Sequence, residues 1–184
     1  MGRWEPDAAE RLRLAARDLF VEQGFEETTV AQIAERAGLT PRTFFRYYPD
    51  KREVLFAGSD QLEEAMAAAA RATAPEATAW DAVAAALTAG ATMIGGSRAW
   101  SRQRQDMLLD HADLQGRELT KLARLATILA GVLRERGVAD VEAELVAEAA
   151  LTVFRLGFAA WLEEPGDRTL AEVIGERLDL LRRL

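Results

Sequence analysis

Apolar residues recur at intervals of three and four over most of this chain, the period of a helix with one buried face. Leu12, Ala15, Ala16, Leu19 and Phe20 form the first stripe, with Arg11, Arg13, Arg17 and Asp18 mostly off it. The helix they predict starts near Pro6-Asp7 and stops at Gly24, after which Phe25 re-enters the core. A second helix starts at Thr29. Thr29 and Gln32 fit a capping box, and Val30 and Ile33 are its first apolar anchors. Ala34 is small where a partner helix must come close, Gly38 suits a turn that needs positive φ, and Leu39 fills the corner. Thr40 then caps a third helix, Pro41 takes its first position and Pro49 ends it.

The later pattern is helical as well. A fourth helix is predicted from Lys51 to about Thr73, broken at Ala74-Pro75. A fifth spans Trp80 to Ile94 and ends at Gly95-Gly96. A sixth is capped by Ser97 and runs to about His111, and a seventh fits Leu119, Leu122, Ala126, Leu129 and Leu133, closed by Gly137. From Leu145 to Leu162 only Glu148 and Arg155 are charged. A helix apolar nearly all round needs cover on two sides. The last helix carries Leu170, Val173, Ile174, Leu178, Leu181 and Leu184 on one stripe. Two such helices packed against their copies would make a four-helix homodimer interface; a central helix in a monomeric bundle is the competing explanation. The expectation is an all-α chain of about nine helices. A three-helix helix-turn-helix unit occupies residues 1–51, and a helical ligand-binding and dimerisation bundle occupies 52–184.

The third helix has a distinctive outer face. Phe44 and Tyr48 share one side and should pack inward. Arg42 and Arg46 lie opposite, with Thr43 and Tyr47 on one flank and Phe45 on the other. Such a surface suits a DNA major groove. Arg can grip the O6/N7 edge of guanine, and Thr or Phe can meet the thymine methyl. Thr40, Tyr47 and Lys51 fall where phosphates should run, and Thr29 is a further candidate DNA-binding residue.

Charge refines this picture. The net charge of −7 over 184 residues disfavours a nucleic-acid binder at first sight. Residues 1–52, however, carry equal numbers of basic and acidic groups, so the whole excess lies beyond them. Between 36 and 52 Arg36, Arg42, Arg46, Lys51 and Arg52 face a single acid, Asp50. A local basic patch can bind phosphates while the acidic remainder keeps the protein soluble. The hydrophobic fraction of 49% fits a folded chain. Without cysteine there is no disulfide, thiolate metal site or cysteine nucleophile. The charged N-terminus does not read as a secretory signal, and the longest charge-free run, Ala82 to Ser97, is too short to span a membrane. A cytoplasmic protein without membrane association is expected.

The helix-turn-helix residues resemble the tetracycline-repressor (TetR) family of bacterial regulators. The pattern is Phe20, Gly24 and Phe25, then Thr28-Thr29-Val30, Ile33-Ala34, Ala37-Gly38-Leu39-Thr40, and Thr43 through Lys51. The resemblance covers about the first third of the chain. Phe45 stands where tyrosine is frequent and Arg46 where histidine is frequent. Because Phe45 cannot donate to a phosphate, apolar base contact suits it better. The resemblance implies a dimeric, DNA-binding transcriptional regulator, usually a repressor, released from a near-palindromic double-stranded operator by a small molecule. Similarity to one subgroup implies acyl-CoA-like ligands.

For that ligand, small and apolar or amphipathic, the candidate residues are Met93, Trp100, Met107, Phe154 and Phe158. Gly90, inside a helix, either leaves room for it or permits close helix packing. Arg98, Arg102 and Arg104 either meet an anionic group or form a solvated face. His111, the only histidine, reads as a helix-end residue, not a metal ligand. No cofactor, metal or catalytic site is expected, and the chain does not read as an enzyme. A DNA-binding or adaptor protein with no small-molecule effector stays open as the alternative.

Overall fold

The computed structural model describes residues 7–164 and 166–183. Pro6 and Leu184, which enter the expectations for the first and last helices, lie outside the described residues. Ten helices and no strand occur among the described residues. The chain divides into two compact units, the first ending at Gly58 and the second starting at Ser59.

The first unit contains α1 (Ala8–Gln23), α2 (Val30–Arg36), α3 (Pro41–Tyr47) and α4 (Lys51–Leu55). The Asp7 carboxylate caps α1 by accepting from the Ala9 and Glu10 amides. The predicted stripe of α1 is buried and packs with Phe25, Ile33, Ala34, Phe44, Val54, Leu55 and Phe56, all below one-tenth exposed. This small core sets the angle at which α2 and α3 leave α1.

The predicted fourth helix is two helices. The helix ends after Leu55, Gly58 adopts φ +94°, and α5 (Ser59–Arg71) begins beyond it. That left-handed backbone ends a helix, and glycine is the residue that tolerates it. Among the described residues the count is therefore ten, where about nine were expected.

The second unit adds α6 (Ala79–Ile94), α7 (Arg98–Asp110), α8 (Ala112–Glu135), α9 (Asp140–Glu163) and α10 (Leu170–Leu181). Its core is shared by α5, α6, α8, α9 and α10. Two helical glycines set the closest approaches. A Cβ on Gly90 would lie 2.8 Å from Met66 Sδ, so close packing of α5 on α6 explains that glycine and the space is filled. A Cβ on Gly157 would lie 2.7 Å from Ile174 Cγ1, and this is where α9 and α10 meet. α8 starts at Ala112, earlier than its apolar pattern predicted, and Leu119 faces outward.

By length and composition α9 could cross a membrane, yet half of its most apolar window is buried within this unit. It is the central core helix. The α10 stripe of Leu170, Val173, Ile174 and Leu178 also turns into the chain's own core. On α9 and α10 the large apolar residues left outside are Val141, Leu145, Leu156 and Leu180, each more than half exposed.

Candidate nucleic-acid interface

The interface is built on two caps and one turn. Thr29 Oγ1 accepts from the Gln32 amide at 3.3 Å while Gln32 Oε1 accepts from the Thr29 amide at 2.8 Å, which completes the capping box of α2. At its other end the Leu39 amide donates to the Ala34 carbonyl at 2.8 Å and the Gly38 amide to Glu35 at 2.9 Å. This pair of bonds needs a left-handed residue between them, and Gly38 has φ +66°. Arg11 adds a tie not anticipated from sequence: its Nη2 donates to the Ala37 carbonyl. A side chain at Gly38 would meet that guanidinium at 2.9 Å.

Thr40 then caps α3, its Oγ1 accepting from the Thr43 amide at 3.2 Å, with Pro41 in the first turn. The Thr40 and Thr43 hydroxyls lie 3.0 Å apart and share a proton bond. Phe44 is fully buried and holds α3 to the unit. Tyr48 supports it from the half-buried side: its hydroxyl donates to the Ala9 carbonyl at 3.2 Å, and burial pushes its phenol above the ordinary value.

Arg42, Phe45, Arg46 and Tyr47 are exposed on α3, and Thr43 is partly exposed. Phe45 is 57% exposed although it stacks edge-on to Phe44. Arg46 lies over the Tyr47 ring at 4.8 Å and donates from Nη2 to the Tyr47 hydroxyl at 3.0 Å. That hydroxyl accepts the bond and keeps its own proton to donate elsewhere.

Lys51, expected at a phosphate, has its Nζ donating to the carbonyls of Phe25, Glu26 and Thr28. Arg36 is likewise engaged, gripping Glu22 with two bonds at 2.9 and 2.8 Å.

In the second unit the residues proposed for a ligand are unevenly placed. Phe154 belongs to the buried core and Phe158 packs at its edge. Trp100 and Met107 are partly buried on α7, which lies against α8 and α9. Met93, 49% exposed near the end of α6, is not gathered into that core. The three arginines of α7 have protein partners. Arg98 donates to the Glu164, Gly166 and Arg168 carbonyls and covers the Trp161 ring; Arg102 meets Glu163, and Arg104 meets Glu118 with two bonds. His111 ends α7 and precedes α8, its Nδ1 2.7 Å from the Met107 carbonyl.

Two family models match this chain. Residues 12–57 match the bacterial regulatory proteins of the tetR family, and residues 77–184 match the MftR C-terminal domain. The chain belongs to the TetR family. It is thus a transcriptional regulator of a DNA-binding, helix-turn-helix family whose members are not enzymes. The regulator is 48% identical over 54 residues to the transcriptional regulator TcmR of Streptomyces glaucescens, a match that spans 29% of this chain and 24% of that protein. It is similar over most of its length to the repressor FadR of Thermus thermophilus in complex with lauroyl-CoA, at 26% identity and TM-score 0.64, covering 95% of this chain and 93% of that one. FadR of Bacillus subtilis in complex with stearoyl-CoA has the same fold, at 20% identity and TM-score 0.69 over 94% and 96% of the two chains.

Proposed function

We propose that this regulator is a cytoplasmic homodimeric repressor that reads a near-palindromic operator through α3 and releases it on binding an amphipathic acyl thioester. The exposed, cap-anchored face of Arg42, Thr43, Phe45, Arg46 and Tyr47 carries the reading. Arg42 and Arg46 supply the forked donors for base edges, Thr43 and Phe45 the apolar contacts. Thr29, Thr40 and Tyr47 supply phosphate-directed hydroxyls. Exposed Val141, Leu145 and Leu156 on α9, with Leu180 on α10, support pairing with a second copy through the last two helices. A two-fold protein suits a two-fold operator.

The acyl-thioester reading is supported by the lauroyl-CoA complex of the Thermus relative. Trp100, Met107, Phe154 and Phe158 are the residues proposed to receive the acyl chain, with Met93 at the margin. Release requires that the ligand bind the DNA-free geometry more tightly than the DNA-bound one.

Selection of duplexes from random sequence tests the reading. A motif with two-fold symmetry is expected, and lauroyl-CoA should both raise the melting temperature and displace the selected duplex. Enrichment of no symmetric motif would overturn the dimeric operator. Arg42→Ala should weaken the selected complex by about 1–3 kcal/mol and relax one base position in each half-site. An unchanged profile would remove Arg42 from the reading surface.

A further inference from the structure

Lys51 opens α4, and its ammonium carries three hydrogens. The structure supplies three acceptors: the carbonyls of Phe25 at 2.8 Å, Glu26 at 3.0 Å and Thr28 at 3.1 Å. Nζ also lies 4.5 Å from the centroid of the Phe25 ring, which is itself buried and packed on Phe20. These acceptors belong to the turn between α1 and α2, more than twenty positions earlier in sequence. The same turn is closed from its other side. Thr28 Oγ1 donates to the Gly24 carbonyl at 2.7 Å, and Gln23 Nε2 donates to the Glu27 carbonyl at 3.0 Å. Thr28 is fully buried, so its position sets where the neighbouring Thr29 begins α2.

A lysine that binds phosphate behaves as a point charge on a flexible stem, turned to solvent until the anion arrives. The geometry of Lys51 is the opposite. To reach a phosphate it would have to abandon three carbonyl oxygens in a partly buried site, a loss that one exposed phosphate contact does not offset.

We propose that Lys51 is a positioning residue for DNA reading and contacts no phosphate. Its ammonium fixes the turn that delivers Thr28 and Thr29 to the head of α2, and it ties that turn to the first residue of α4. A displacement of α4 is thereby passed to α2 through one side chain. The proposal rests on the reading that α2 and α3 face DNA.

The chain has two lysines, Lys51 and Lys121, which makes amine footprinting direct. The full chain, free and bound to its selected duplex, is treated with acetic anhydride, and acetylation at each lysine is followed by mass spectrometry. Lys51 is expected to react at least about tenfold more slowly than Nα-acetyl-lysine in the free protein, since the amine must first leave its carbonyls. The duplex should add no further protection. Lys51 that reacts at the model rate when free and is shielded by the duplex overturns the proposal.

Two variants give a second readout, at a temperature where circular dichroism shows both folded. Lys51→Arg keeps the charge but replaces a compact ammonium with a planar fork that does not fit three converging carbonyls. It should lose operator affinity as Lys51→Gln does, with faster amide exchange at Thr28 and Thr29. Full affinity in Lys51→Arg alongside a loss in Lys51→Gln assigns the lysine to phosphate and overturns the proposal. The underlying reading fails separately: if Arg42→Ala leaves the selected motif and affinity unchanged, α3 does not read DNA, whereas the protection of Lys51 in the free protein is unaffected.

Discussion

Gly157→Ala is expected to destabilise the protein, against the usual benefit of replacing a helical glycine. Gly157 lies inside α9 where α10 crosses it. A new Cβ would stand 2.7 Å from Ile174 Cγ1 and 3.3 Å from Ile174 Cα. The first contact could relax only by turning a β-branched side chain that is stiff about χ1 and buried. The second is with backbone, so α10 itself must shift. Overpacking of this kind costs about 1–3 kcal/mol. Alanine returns about 1 kcal/mol of helix propensity. The net loss is then up to roughly 2 kcal/mol. Gly131, inside α8, is the control: a Cβ there meets nothing within 4 Å. Gly131→Ala should stabilise by up to about 1 kcal/mol, from propensity and a less flexible unfolded chain. Urea unfolding at one fixed protein concentration measures both, since the stability of an associating protein varies with concentration. In the Gly157→Ala background Ile174→Ala should cost less than alone, with a coupling of about 0.5–3 kcal/mol. Two glycine substitutions that stabilise equally, or an absent coupling, would refute the packing argument.

Two other substitutions address single interactions. Arg98→Ala removes the donors that close the segment after α9 at three carbonyls, and should cost about 1.5–3 kcal/mol in urea unfolding; Arg98→Lys recovers only part, because it lacks the fork. Glu10→Gln should matter only above acidic pH. The hydrogen bond from Arg13 holds the Glu10 carboxyl below its ordinary range, against the opposing effect of burial. A depressed folded value means the contribution is complete above the unfolded value and is lost as pH falls through the folded one. Thermal melting of the two proteins should therefore differ at neutral pH and converge as pH falls past the ordinary carboxyl value and through the lower folded one. A constant difference across that range would argue against the pair.

What the sequence disclosed was largely local chemistry. The capping residues Thr29 with Gln32, Thr40 with Pro41, and Ser97 all stand where expected. The stop glycines Gly24, Gly38 and Gly137 adopt the positive φ their positions need. Each signal is contained within a few residues, so spacing suffices to read it. The Gly58 break was hidden because Leu55, Leu62 and Met66 keep helical spacing through it. Periodicity also identifies a face without naming its neighbour. The α10 stripe was legible from its spacing, but its packing in the chain's own core was not. Long-range cation–carbonyl ties had no spacing rule at all. Arg11 to Ala37, Lys51 to Phe25 and Arg98 to Arg168 join positions 26 to 70 residues apart.

The engagement of Lys51 and Arg36 inside the first unit bears on how this regulator responds to ionic strength. Five basic residues between 36 and 52 would suggest a steep dependence, since each phosphate neutralised by a cation releases counterions. With Arg36 held by Glu22 and Lys51 by three carbonyls, Arg42 and Arg46 are the cations on the exposed face of α3. Even if Arg42, Arg46 and Arg52 of each copy of a dimer all met phosphates, the logarithm of affinity would fall with the logarithm of salt at a slope of roughly five, against about nine for all five. The phosphate contacts proposed for Thr29, Thr40 and Tyr47 would be made through neutral hydroxyls, which release no counterions. Such a regulator would lose less of its hold on an operator as salt rises than its count of basic residues implies.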